Sequence, residues 1–305
     1  MNPSIPLVTV AILSHNRKEE LRNTLYNLIK QDYKNIEIIV ADNCSTDGSP
    51  NMVELNFPDV KLIRLSKNLG IEAYNYILKE ANGKYYLILD DDSFPEKSAL
   101  SYGISFLEQN IDYFIVTFKI FNNGINEIET KDFKIENPYL FHGCGSIWKS
   151  QVYEKLGGYD ADYFLYYNEI DLTIRCYNSN MKIKYLEDKI VFHQNITIRE
   201  ENKDYHQHKL KYEQFFTGHI RFLIKHFNYK YVIIFSIKWI LNRFIIALKF
   251  NYYSSFFKSL LRLPKTILSS HTKRNPVNPI IQNYYRNGNI PLIDRDFFPQ
   301  FKKPY

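Results

Sequence analysis

The stretch Lys84-Tyr85-Tyr86-Leu87-Ile88-Leu89-Asp90-Asp91-Asp92 decides the fold. Its apolar and aromatic run has the length of a strand and lacks the polar alternation of a half-solvated one, so the strand is expected to be covered on both faces. It ends abruptly in three carboxylates. Three adjacent negative charges repel one another unless a cation or a proton offsets them. A divalent ion that prefers hard oxygen ligands, Mg²⁺ or Mn²⁺, is the natural partner. A solvated acidic turn before Pro95 is the plainer alternative, but the preceding strand delivers these acids to a sheet edge.

Upstream, strand-like and helix-like patterns alternate. Leu7–Leu13 is a short apolar strand. Asn16 stands three residues before Glu19 as a capping box, opening a helix with Leu21, Leu25, Leu28 and Ile29 on one face. Ile36–Ala41 is a second strand, and Ser49-Pro50 reads as the N-cap and first position of a short helix. Val60–Leu65 is a third strand, and Ile71–Asn82 a helix closed by Gly83. The pattern predicts an α/β fold, a doubly wound and mainly parallel sheet. Ligands of such sheets bind beyond the carboxyl ends of the strands. Those ends carry Ser14-His15-Asn16-Arg17, Asp42-Asn43-Cys44-Ser45-Thr46-Asp47-Gly48, Ser66-Lys67-Asn68-Leu69-Gly70 and the three acids.

Downstream, residues 98–137 are harder to read, with a helix to Gln109 and a strand at Tyr113–Ile120. A second dense region runs from Phe141 to His193, with a helix over Glu169–Asn178 and a strand over Ile183–Phe192 that delivers His193. No repeat, low-complexity tract or Gly/Ser linker separates it from the first region, so it is expected to complete the same domain.

With 45% hydrophobic residues in 305, the chain can bury a sizeable core and is not disordered. Its three cysteines, Cys44, Cys144 and Cys176, are odd in number and widely spaced, which fits neither a disulfide framework nor a zinc cluster and implies a reducing compartment. The apolar run Ile5–Leu13 has no cationic leader and is broken by Pro6 and Thr9, so it reads as a strand instead of a signal peptide. Charge is unevenly placed. Tyr205–Arg274 holds thirteen Lys or Arg against the single acid Glu213, a net +12, which leaves −6 for the remainder of a chain whose total is +6. The basic segment suits a polyanionic surface. Within it, Tyr231–Phe250 raises the question of a membrane span, which Lys238, Arg243 and Lys249 argue against. An interfacial helix with snorkelling cations is expected, with a helical cap on the preceding domain as the alternative. From Asn275 five prolines mark an irregular tail. The expected organisation is a catalytic domain over residues 1–204, a basic helical membrane-surface region over 205–274 and a tail over 275–305.

The loop Asp42–Ser49 resembles the Asp-Asp/Asn-x-Ser-x-Asp-Gly segment of family 2 of the inverting glycosyltransferases, which have a GT-A fold. Ser14-His15-Asn16-Arg17 resembles that family's Thr-Tyr-Asn-Arg turn, Asn68-Leu69-Gly70 its Asn-x-Gly, and Asp90-x-Asp92 its DxD metal motif. His142-Gly143-Cys144-Gly145 followed by Leu156-Gly157-Gly158-Tyr159-Asp160 is similar to its acceptor-side segment. Tyr167-Asn168-Glu169-Ile170-Asp171-Leu172 with Arg175 is similar to its Glu-Asp-x-Asp-Leu-x-x-Arg motif. The motifs fall in the expected order from Val8 to His193; each alone is weak, and the series is specific. Two positions depart from the pattern. Glu169 stands where the family has its catalytic Asp, and Asn43 replaces the second Asp of the nucleotide loop, as in rhamnosyltransferase-like members.

The resemblance implies a nucleotide-sugar donor, UDP- or dTDP-linked, and a glycan or lipid-linked acceptor of the kind used for bacterial surface polysaccharide. It assigns donor contacts to Ser14, Asn16, Arg17, Asp42, Asn43, Ser45, Asn68, Gly70, Asp90 and Asp91, and Mn²⁺ or Mg²⁺ to Asp92, with Asp90 and His193. Glu169 becomes the general base, with Asp171 and Arg175 as its catalytic neighbours, and Gly143, Gly145 and Trp148 face the acceptor. Asp171 and Arg175 read equally well as an i,i+4 pair at a helix start, His193 as a surface residue, and the nearby tyrosines Tyr163, Tyr166 and Tyr167 as core packing. The expected site of action is the cytoplasmic face of the cell membrane. A sugar nucleotidyltransferase is the competing enzyme, but there is no Gly-rich N-terminal loop followed by Arg and Lys. A basic nucleic-acid-binding protein is the competing class, but no nucleic-acid module is visible, so no nucleic-acid partner is expected.

Overall fold

The computed structural model describes residues 5–123, 126–130, 134–194 and 201–286, with side chains except at residues 127 and 201–208. The chain forms two compact units, Met1–Phe164 with Asn168–Ile198, and Leu165–Tyr167 with Arg199–Tyr305.

In the first unit the alternation read from the sequence becomes β1 (Val8–Ser14), α1 (Lys18–Ile29), β2 (Ile36–Asp42), α2 (Ser49–Asn56), β3 (Lys61–Arg64), a single 3₁₀ turn at Gly70–Glu72, α3 (Ala73–Glu80) and β4 (Tyr85–Asp90). All four strands are parallel, in the order β3-β2-β1-β4. β1 therefore has β2 on one side and β4 on the other, which makes its carboxyl end a topological switch point. The register brings the polar ends level: Ser14 lies opposite Asp42, and Leu13 opposite Asp90.

The chain continues through β5 (Ser93–Pro95), α4 (Ala99–Gln109), β6 (Tyr113–Asn122), β7 (Glu127–Ile128), β8 (Ser146–Lys149), α5 (Gln151–Leu156), α6 (Asn168–Asn178) and β9 (Lys182–His193). The sheet extends from β4 through β8, β6 and β9 to β5, and this half is mixed, with β8 antiparallel to both β4 and β6 and β9 parallel to β6. Two pairings matter for the site. Ser93, directly after Asp92, faces His193, and Asn122 on β6 also faces His193.

One face of the sheet buries Val8, Val10, Ile12, Val40, Leu87 and Leu89 against Leu21, Leu25 and Leu28 of α1 and Leu100, Ile104 and Leu107 of α4. Burying each large aliphatic side chain contributes about 1.5–3 kcal/mol, and truncating one, as in Leu25→Ala, costs about 2–5 kcal/mol.

The helix caps differ from the sequence reading. No side chain caps α1 from within its own turn. Asn16 is instead held in the left-handed region, with its side chain accepting from the Thr46 amide at 2.7 Å. Asp47, from the next loop, accepts the Lys18 amide at 2.9 Å and the Ser49 amide at 2.9 Å. The N-cap of α2 is Gly48, so Ser49 is already inside the helix. Long-range carboxylate capping replaces the local capping box because the two loops lie side by side at the switch point.

The second unit is helical: α7 (Glu201–His226), α8 (Tyr229–Phe250), α9 (Tyr253–Thr272) and α10 (Pro279–Tyr284). Helix α10 corrects the reading of everything beyond Asn275 as irregular; residues 287–305 of that tail lie outside the described residues. Its core joins Tyr212 and Phe216 of α7 to Ala247, Tyr252 and Phe256, and Phe215, Ile220 and Ile224 to Trp239. Tyr166 and Tyr167 belong to this unit, where Tyr166 stacks on Phe215 and Tyr167 hydroxyl meets His219 Nδ1 at 2.8 Å.

Candidate active site

Three loops at the carboxyl edge are knitted together by side-chain amides. Asn16 receives the Thr46 amide and gives its own N–H to Ser45 Oγ at 2.9 Å. Asn43 accepts the Leu69 amide at 2.7 Å and donates to the Gly70 carbonyl at 3.2 Å. Asn68 accepts the Gly70 amide at 2.9 Å. Gly70 has φ +59°, and a Cβ there would lie 2.1 Å from the Phe164 carbonyl oxygen, so the loop closes only around glycine.

Asn43, expected as a donor contact, is thus also part of this scaffold. It is buried and uses both its acceptor and its donor inside the protein. An aspartate could not make the second of these bonds, which gives the departure from Asp a physical reason.

Beyond this scaffold, Asp42 Oδ2 receives the Ser45 amide at 3.0 Å. Asp42 Oδ1 and the Ser14 hydroxyl are buried without a protein partner. A buried acceptor of this kind costs free energy unless a ligand donor reaches it.

The acidic triplet is balanced by cations from both sides. Arg17 Nη1 pairs with Asp91 at 3.2 Å and also contacts Asp92. His193 Nε2 lies 3.3 Å from Asp92 Oδ1. Burial raises Asp91 to about 7 despite Arg17, and burial together with Asp92 raises Asp90. Asp92 ends below the usual carboxylate range, because His193 and Arg17 outweigh its burial. Burial alone would lower His193, but hydrogen bonding and charge from Asp92 and Glu129 carry it to about 10.

Glu129 is the residue that sequence reasoning missed. It accepts from His193 Nδ1 at 2.9 Å and from Asn122 Nδ2 at 2.6 Å, and pairs with His142 Nε2 at 3.2 Å. Its two histidines outweigh burial and hold it well below the usual carboxylate range. It reaches this position because β7 folds back on β6, with Ile128 opposite Phe121. Nothing in residues 124–130 as a string signals that geometry.

A carboxylate behind a histidine fixes the ring and its tautomer, the arrangement that supports metal-binding histidines. Asp90, His193 and Cys144 present ligand atoms within 4.8 Å of one another. Burial keeps the Cys144 thiol protonated, which leaves carboxylate oxygen and imidazole nitrogen. With Asp92 beside His193, this donor set fits Mn²⁺ or Mg²⁺.

Glu169 sits in the first turn of α6, half-buried. Its Oε1 accepts the Gly143 amide at 3.1 Å, and a Cβ on residue 143 would come within 2.8 Å of that oxygen. Burial lifts its pKa above the ordinary glutamate value; His142 opposes the rise and Asp90 adds to it.

Three other expected site positions are built into the protein interior. Asp171 is fully buried and bonds Arg175 Nε at 2.9 Å, while Arg175 donates to the Leu156 and Gly158 carbonyls at 2.8 and 2.7 Å. The pair ties α6 to the Gly157-Gly158 turn. Trp148 is fully buried, packs on Phe141 and Tyr159, and donates to Ser146 Oγ at 2.9 Å, so it offers no face to an acceptor. Gly145 is buried against Ile120 and Val191, where it serves sheet packing.

The profile described as Glycosyl transferase family 2 matches residues 9–171, more than half of the chain. Among curated relatives, the chain is 28% identical over 196 residues to the Escherichia coli UDP-Glc:alpha-D-GlcNAc-diphosphoundecaprenol beta-1,3-glucosyltransferase WfaP, covering 57% of this chain and 74% of that protein. Against several others the match spans only 21% to 58% of their length. Among solved structures, the mannosyltransferase PcManGT of Pyrobaculum calidifontis, in complex with GDP-Man and Mn²⁺, superposes with a TM-score of 0.55 at 18% identity, over 95% of this chain and 78% of its own. Staphylococcus aureus TarS residues 1–349 in complex with UDP-GlcNAc does so with a TM-score of 0.55 at 18% identity, over 92% of each chain. The mixed sheet with its acidic strand end is therefore a GT-A fold. Its loops carry the motifs in family order, and the chain belongs to glycosyl transferase family 2.

Proposed function

We propose that this glycosyltransferase moves a sugar from a UDP- or dTDP-sugar to a hydroxyl of a glycan or lipid-linked acceptor, with inversion at the anomeric carbon, in the synthesis of a bacterial surface polysaccharide. The observation that carries the reading is Glu169, a half-buried carboxylate held by the Gly143 amide, with its pKa raised by burial above the ordinary glutamate value. A base with these properties suits proton removal from an alcohol near neutral pH.

The donor side follows from the loops. The orphan oxygen of Asp42 meets an N–H of the base, and the Ser14 hydroxyl lies level with it across the β1–β2 register. Arg17 places positive charge where a diphosphate would lie. A divalent cation held by Asp90, Asp92 and His193 would stabilise negative charge on the departing diphosphate. Glu129 orients His193 toward that position.

In the transfer, the acceptor oxygen gives its proton to Glu169 and forms a bond to the anomeric carbon. The bond from that carbon to the diphosphate oxygen breaks on the opposite face, and the nucleoside diphosphate leaves with the electron pair. Configuration inverts. The acceptor named for WfaP, a diphosphoundecaprenol-linked sugar, supports a lipid-linked acceptor; the proposed site of action is the inner face of the cell membrane.

A panel of UDP-, dTDP- and GDP-sugars with Mn²⁺, read by thermal stabilisation and by release of nucleoside diphosphate, tests the reading. Stabilisation and slow hydrolysis are expected with a UDP- or dTDP-sugar. Indifference to every nucleotide sugar would overturn it.

A further inference from the structure

Helices α8 and α9 leave many of their large apolar side chains exposed. On α8 the inward face holds Trp239, Arg243 and Ala247, while Ile233, Ile234, Ile237, Leu241, Ile245 and Leu248 point to solvent. Arg243 is buried, with its guanidinium 4.1 Å above the Trp239 ring and the Tyr212 hydroxyl donating to its carbonyl at 2.7 Å. On α9 the inward face is lined by Ser255, Ser259, Thr266 and Ser270 around Phe256, whereas Phe257, Leu261 and Leu268 are exposed, Leu261 by 82% and Leu268 by 70%. The two helices adjoin where the exposed Phe244 of α8 packs 5.3 Å from the buried Phe256 of α9, next to the exposed Phe257. A contiguous exposed apolar surface of this kind calls for a partner.

Charge identifies which partner. The outward faces also carry Lys230, Lys238, Lys249, Lys258 and Lys265, all exposed, and neither helix contains a single acidic residue. Against a second copy of the same surface, these lysines would meet lysines with no acid to pair them. Against an anionic bilayer, the aliphatic side chains enter the acyl boundary while the ammonium groups reach phosphate.

Helix α8 has the length and composition of a membrane span, but its inward face is committed to α7. Trp239 Nε1 donates to the Phe216 carbonyl at 3.2 Å, and Ala247 packs with Tyr212 and Phe216. A spanning α8 would have to abandon those contacts and carry Lys238, Arg243 and Lys249 into hydrocarbon.

We propose that the outward faces of α8 and α9 dock in the plane of an anionic bilayer, with their isoleucine, leucine and phenylalanine side chains inserted at the acyl boundary and their lysines on the phosphates.

The test is co-sedimentation of the full chain with vesicles of phosphatidylcholine alone and of equimolar phosphatidylcholine and phosphatidylglycerol, at low and high salt. Two double variants, Leu261→Ser with Leu268→Ser and Lys238→Glu with Lys249→Glu, are run beside it. Circular dichroism serves as the check on folding, and nucleotide-sugar binding, measured separately in solution, bears on the donor reading alone. The expected result is salt-sensitive binding to the anionic vesicles only, weakened roughly fivefold for each unit of positive charge removed, two units at each Lys→Glu site. It should fall by at least about tenfold for the paired leucine change. Binding unchanged in both variants, or no binding by the native chain, would overturn the proposal. Resistance of the membrane-bound protein to alkaline carbonate would overturn it in favour of a span, and a dimer abolished by the leucine variant without vesicle binding would do so in favour of a second copy.

Discussion

The two units distribute their apolar side chains differently. In the sheet unit the interior is aliphatic and polar chemistry is displaced to the strand ends, where Asp42, Asp90–Asp92 and Arg17 collect. In the helical unit the interior is largely aromatic and also accepts Arg243, His219, Glu213 and a row of serines, while many isoleucines and leucines of α8 and α9 stand outside. A water-soluble domain alone selects for the first pattern. The second is expected where the outer solvent is partly lipid. Under the proposed bilayer docking, burial has to be read against the medium that each surface faces.

The sharpest way to break the comparison lies at the strand end. Asp92→Asn removes the carboxylate shared by Arg17 and His193. It should abolish turnover and metal-dependent donor binding while leaving the circular dichroism spectrum unchanged; full activity would remove Asp92 from the site.

Next in size is Asp171→Asn, which leaves Arg175 facing a neutral amide in a buried clamp. About 3 kcal/mol of stability should be lost in urea unfolding, with a smaller effect on turnover. A dead but fully stable variant would give Asp171 a catalytic role.

Glu129→Ala should weaken Mn²⁺ affinity by about 10–100-fold, as loss of support behind a metal histidine does, measurable by Mn²⁺ paramagnetic resonance without any turnover. Glu129→Asp should recover part of that affinity. Equal affinity in all three proteins would reduce Glu129 to a packing residue.

At the small end, Leu261→Ser should change unfolding free energy by no more than about 0.5 kcal/mol, because its side chain is 82% exposed. A loss of several kcal/mol would mean that this face is covered within the protein and that the two units do not differ as described.

Much of the sheet unit was legible in the sequence because strand ends in a parallel sheet have fixed meaning. The run Tyr85–Leu89 fixed β4 as a buried strand, and its register with β1 brought Asp90 level with Leu13. What escaped notice depended on contacts distant in sequence. Glu129 reaches His193 only through the β6–β7 reversal, and Asp47 caps a helix 29 residues away. Trp148 was misread because its neighbours along the chain are the motif residues, whereas its neighbours across the sheet, Tyr86 and Ile115, put it at the centre of the core. On α8 Arg243 faces inward while Lys238 and Lys249 are exposed, but a helix that is apolar all round does not reveal in its sequence which side packs.

The central claim is that Glu169 takes the acceptor proton. Burial raises its pKa, so the deprotonated base is lost as pH falls through a value above that of an ordinary glutamate. The native enzyme should therefore show an acid limb in kcat above about 4.5, the usual glutamate value. The decisive measurement is the pH profile of kcat for the native chain and for Glu169→Gln, with donor affinity measured by calorimetry. The account predicts a roughly 10²–10⁴-fold drop in kcat for Glu169→Gln, loss of the acid limb, and unchanged donor affinity. Near-native turnover with the acid limb retained would contradict it.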